Sequence, residues 1–144
     1  MRRAILCTAD AVEEAFYEAM QRGDLEAMMA LWADDEDVVC VHPGSDRLVG
    51  LAAVRTSWER IFRHGHVDIR RTDVRTHTGA VLAIHNAVEQ TLAMQPGGGT
   101  TPGGIQIVEC IATNVYVKQA DGWRIMLHHA ALRQASASAA ERLH

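Results

Sequence analysis

The chain has 144 residues, 48% of them hydrophobic and 22% charged, with a net charge of −4. Such a balance suits one soluble domain with a single core. Apart from Arg70 and Arg71 the basic residues are scattered, so no phosphate-tracking face forms and nucleic acid is not an expected partner. No apolar run approaches the roughly 20 residues that cross a bilayer, so no membrane association is expected. Only four small or apolar residues separate Arg3 from Thr8, too few for the core of an export signal, and the expected compartment is cytoplasmic. Cys7, Cys40 and Cys110 are odd in number and widely spaced. They read as reduced thiols packed as small apolar groups.

In chain order, Val12, Phe16 and Met20 recur every four residues and predict a first helix. Asp10 and Glu13 suggest a capping box at its start. Gly23 ends this helix and Asp24 caps the next, whose apolar face is Leu25, Met28, Met29 and Trp32. Val38 to Val41 reads as a short strand that stops at His42, Pro43 and Gly44. Leu51, Val54, Trp58, Ile61 and Phe62 predict a third helix ending near Gly65. Four long strands follow, over residues 67–78, 80–94, 105–118 and 123–132. Thr78 with Gly79, and Asp121 with Gly122, mark hairpin turns. Residues 96–104 read as a flexible glycine-rich loop. Residues 1–133 form one expected domain and 134–144 a flexible tail. Helices followed by antiparallel strands give an α+β class. Strands this long curve, so the expected form is a cone-shaped barrel, with three N-terminal helices packed in a strongly curved, mostly antiparallel sheet.

Several segments together resemble one family. They are Gly23-Asp24-Leu25, Leu31-Trp32-Ala33-Asp34-Asp35, Val41-His42-Pro43-Gly44 and the run from Leu48 to Phe62, with Ala112 to Tyr116 and Gly122 to Ile125 later. Their order and spacing are similar to the nuclear-transport-factor-2-like superfamily, which holds ketosteroid isomerase, SnoaL-like polyketide cyclases and scytalone dehydratase. The SnoaL-like proteins of unassigned function are closer still. The resemblance covers about residues 8–132. It implies an α+β barrel, a pocket at the open end and a homodimer formed through the sheet.

The resemblance also marks departures. Ketosteroid isomerase has a general-base Asp where this chain has His42. Its substrate-polarising Tyr falls at Phe16, with Tyr17 turned about 100° away on the helix. Its protonated Asp falls near Asn114. Steroid isomerisation is therefore not expected. The candidate catalytic residues are His42 as base, since imidazole titrates near neutrality, and Asn114 with His129 to hold developing negative charge. Strand alternation sends only one of His128 and His129 inward. His129 is preferred because Leu127 shares its face, with His128 the alternative.

Phe16, Trp32, Trp58 and Tyr116 are the candidate ligand contacts. Glu89 is expected on the wet face of its strand. His42, His85 and His129 are a conceivable metal set, but no pair has a chelating helix spacing, so neither metal nor cofactor is expected. Ser45 and Ser57 have no nucleophile-activating partner visible in the sequence. The expected function is a small-molecule pocket, serving a cofactor-independent isomerase, cyclase or dehydratase of a small apolar carbonyl compound. The competing expectation is a non-catalytic ligand-binding or dimerisation module.

Overall fold

The computed structural model describes residues 5–94 and 105–134. The loop over 96–104 and the tail beyond 134 lie outside these residues. Helix α1 spans Ala9–Arg22, and its cap differs from the expected box: the Thr8 hydroxyl accepts from the Ala11 N–H at 3.0 Å. Glu13 is turned inward instead, for reasons given below. Gly23 closes the helix in the left-handed region, at φ 63°. Asp24 caps the five-residue α2, Leu25–Met29, by accepting from the Ala27 N–H. Strands β1 (Val39–Val41) and β2 (Leu48–Val49) follow, then α3 (Leu51–Arg63). The four long strands are β3 (Ile69–Thr78), β4 (Leu82–Met94), β5 (Ile105–Gln119) and β6 (Gly122–Leu132).

The sheet runs β2-β1-β6-β5-β4-β3. Every pairing is antiparallel except β1 with β6, which is parallel. Among the described residues β2 and β3 are the edge strands, so the sheet is an open cone and does not close into a barrel. Val12, Phe16, Trp32, Val54 and Trp58 are buried in one cluster between the helices and the sheet, with Leu25 and Phe62 partly buried against it. Among the described residues no helix is long and apolar enough to cross a membrane.

Two irregularities decide which side chains face inward. In β6, Leu127 pairs with Val115 but Ile125 pairs with Tyr116, leaving Met126 as an extra residue. One inserted residue reverses the alternation beyond it. In β3 the register shifts between Thr72 and Arg75, where Asp73 adopts a φ of 48°.

Candidate functional site

Strand β1 brings His42 to the site. Its parallel register sets Cys40 beside His128, and both are buried. His42 lies two residues beyond Cys40 and so continues its inward face. There the chain turns: the Ser45 N–H donates to the His42 carbonyl at 2.9 Å. Pro43 fits the second position of this turn, and Gly44 supplies the positive φ, 73°, that the third requires in a type II turn. The imidazole is therefore held where strand meets loop.

His42 Nε2 lies 3.0 Å from Ser57 Oγ on α3 and 3.6 Å from Cys40 Sγ. The Trp58 ring stands edge-on to it, centroids 4.8 Å apart. Ser57 also donates to the Val54 carbonyl at 2.7 Å. A hydroxyl has one hydrogen, so with that hydrogen on Val54 the His42 N–H must be the donor to Ser57. This assignment puts the proton on Nε2 and leaves the Nδ1 lone pair free. Burial holds the imidazole below its ordinary value of 6.5, so it is neutral at pH 7. Beside it opens a cleft of about 620 Å³, lined by His42, Leu48, Ala53, Ser57 and Arg60 among others.

Behind His42 lies a closed polar network. His128 stands 6.4 Å from it, ring to ring, and is packed edge-on against Phe16 at 4.9 Å. Its Nδ1 is 2.6 Å from Asn114 Oδ1. The Asn114 amide N–H groups are engaged with Glu13 and with the Tyr17 hydroxyl. Asn114 Oδ1 is thus an acceptor and His128 Nδ1 carries a hydrogen. Burial, with the fields of His42 and His129 adding, pushes His128 down to about 3, so it is neutral. Tyr17 donates to Glu89 at 2.6 Å, and Tyr116 donates to Glu13 at 2.7 Å. Arg71 reaches in from β3 to Glu13 at 2.6 Å. His85 Nδ1 lies 3.1 Å from Glu13, though not aligned for a hydrogen bond.

The two buried carboxyls differ in state. Burial opposes ionisation of Glu13, but the bonds from Tyr116 and Asn114 and the field of His85 outweigh it and bring its pKa below the ordinary value. Burial raises Glu89 to about 7, with the Glu13 charge adding to the rise and the Tyr17 hydrogen bond opposing it. Two carboxylates in one dry interior push their affinities apart in this way.

The structure reverses two expectations and redistributes the rest. His129 is exposed on the outer face, while His128 faces inward, because the extra residue at Met126 shifts the alternation. Glu89 is buried, not on the wet face, since it shares parity with Ala83, His85 and Ala87 on the inner side of β4. Phe16, Trp32, Trp58 and Tyr116 are all buried. Phe16 and Trp58 back the His42–His128 pair, while Tyr116 belongs to the Glu13 network. Asn114 is also buried, so of the expected residues only His42 lines the cleft. Among the described residues no group of three or more His, Cys, Asp or Glu side chains is placed to hold a metal.

Glu13, Tyr17, Ser57, His85 and Arg60 were not among the expected catalytic or ligand-contact residues. Glu13 and Tyr17 are four residues apart on α1, next to the apolar positions Val12 and Phe16. That adjacency was the available signal.

The SnoaL-like domain family matches residues 10–133, nearly the whole described chain. The protein belongs to the SnoaL-like domain family. Solved relatives agree. A candidate calcium/calmodulin-dependent protein kinase type II association domain from Thiobacillus denitrificans is 36% identical, over 91% of this chain and 99% of its own, with a TM-score of 0.77. A candidate dehydratase of the nuclear-transport-factor-2-like family from Streptomyces avermitilis is 32% identical, over 88% and 94%, with a TM-score of 0.75. A ketosteroid isomerase-like protein from Erwinia carotovora atroseptica shares the fold, with 17% identity over 88% and 94% and a TM-score of 0.68. Comparison with curated proteins finds no match. As a SnoaL-like domain the chain shares its architecture with isomerase-like and dehydratase-like proteins, and the residues at its own cleft must argue the chemistry.

Proposed function

We propose that this SnoaL-like domain binds a small carbonyl compound in the cleft beside His42 and moves a proton on it without a cofactor. The observation that carries the reading is the His42–Ser57 pair at the cleft wall. A strand end fixes the imidazole, Ser57 fixes its tautomer, and burial keeps it neutral. Nδ1 would take a proton from the carbon next to the carbonyl, giving an imidazolium and an enolate. Return of that proton to another carbon is isomerisation. Return to a departing hydroxyl is dehydration. Asn114 does not serve as the charge-holding group in this scheme, because both its N–H bonds are spent on Glu13 and Tyr17. The relative described as a candidate dehydratase supports the second outcome. A cytoplasmic setting suits the free thiols Cys7, Cys40 and Cys110.

A second reading is favoured by the 36% identical relative described as a candidate kinase association domain. In that reading the fold serves assembly and the cleft binds without turnover. One experiment separates the two. A panel of small carbonyl compounds is screened by melting shift, and each hit is assayed for turnover with wild type, His42→Ala and His42→Gln. The proposal expects turnover that both variants abolish, with melting temperatures of the free variants within a few degrees of wild type. Binding that stabilises the fold with no turnover supports the assembly reading. Full activity in either variant rejects His42 as the base.

A further inference from the structure

One helix face makes the cleft and also ends it. Ala52, Ala53, Thr56 and Ser57 line the cleft from α3, followed by Arg60 and Ile61. These positions fall at i, i+1, i+4, i+5, i+8 and i+9, a single stripe. The first four side chains are short, which is why space remains beside the helix. Arg60 is the first long polar group on the stripe. Its neighbours are neutralised: Arg55 pairs with Glu26, and Arg63 with Glu59 at 3.4 Å. Arg60 has no ion pair or hydrogen bond among the described residues. The C-terminal end of α3 favours a cation there, but Arg63 already meets that need. Asp46 also lines the cleft, yet its carboxylate accepts from the Arg47 N–H at 2.8 Å and forms no pair with Arg60.

We propose that Arg60 is the anion anchor of the cleft, and that the ligand is a small oxo-carboxylate whose carboxylate lies on Arg60 and whose reactive carbon faces His42. This rests on the cleft reading above and names its ligand class. A guanidinium presents parallel donors that match both oxygens of a carboxylate. Ser57, bonded to His42, precedes Arg60 by three residues, about 4.5 Å along the helix axis. That is roughly the reach of three carbon–carbon bonds. A carboxylate on Arg60 therefore puts the carbons of a short chain alongside the Ser57–His42 pair, with Ala53 and Ile61 against its apolar body.

The test compares 4-oxopentanoate with 2-pentanone, a matched pair with and without the carboxylate. Binding is followed at constant ionic strength by NMR shifts of the His42 ring and the α3 amides, so no turnover is needed. The expected result is a preference for 4-oxopentanoate of about tenfold, worth roughly 1.4 kcal/mol. Arg60→Gln should abolish the preference, Arg60→Lys should keep part of it, and Asp46→Asn should increase it. Arg60 is exposed, so the variants fold. Equal binding of both probes at His42, or a preference that survives in Arg60→Gln, overturns the anchor and leaves the cleft reading intact. Shifts that avoid His42 and α3 altogether overturn both.

Discussion

Glu89 shows how a single inward carboxyl shapes this molecule. Its folded value of about 7 stands above the ordinary 4.5, so the unfolded chain releases the proton first. The stability this group contributes is fully present below pH 4.5 and is lost as pH rises through 7. Glu89→Gln cannot ionise and keeps a carbonyl that can accept from Tyr17. The variant should match wild type in urea melts at pH 4.5 and exceed it at pH 8 by roughly 1–3 kcal/mol. Lower stability at both values would mean that the charged form is the one the interior favours. The pattern of β4 pointed the other way, because Leu82, Ile84, Val88 and Leu92 form its more apolar set, yet Leu82, Ile84 and Leu92 are the exposed ones. A charged residue in mid-strand reads as solvated until its partners are known. Those partners, Tyr17 and through it Asn114, come from elements 72 and 25 residues away, and no local pattern reports them.

At the scale of elements, turn chemistry was legible and register was not. Gly23, Gly44 and Gly122 stand at the positive φ values that their sequence positions announced, 63°, 73° and 111°. Gly122 carries a second constraint. A Cβ there would meet the Leu6 carbonyl oxygen at 2.6 Å, where the Trp123 N–H donates to that same oxygen at 2.8 Å. Backbone cannot step aside as a side chain can, so Gly122→Ala combines a strained φ with a clash. A loss of at least about 1–3 kcal/mol is expected, read as a lowered urea midpoint with unchanged slope. A change under half a kcal/mol would show that the segment before α1 is not docked as described. The bulge at Met126 had no comparable signal. The local residues Ile125 to His129 alternate equally well in either register, and the extra residue is fixed only by pairing with β5. That one residue exchanged His128 for His129 in the site. The helices were more legible, since the apolar periods of α1 and α3 need no partner to be seen.

For the whole molecule, the class of fold was written in the order of helices and long strands, and the open edge at β2 was not. Two residues paired with β1 are too short for a periodic signal. The outer sheet face carries Ile84 and Ile107, 38% and 59% exposed, with Leu92 at 50%. We propose that a second copy covers this face, the homodimer through the sheet that the family resemblance implies. Sedimentation should then show a dimer at micromolar concentration, and Ile107→Lys should shift it toward monomer. A monomeric wild type would set the proposal aside. The chemistry of the cleft depends on a neutral His42 whose tautomer Ser57 fixes. Side-chain 15N NMR of His42 across pH, with and without 4-oxopentanoate, tests this most directly. The expected result is a ring protonated on Nε2 alone at pH 7, titrating below 6.5, with the Nδ1 signal moving when the probe is added. A ring already charged at pH 7, or protonated on Nδ1, would contradict it.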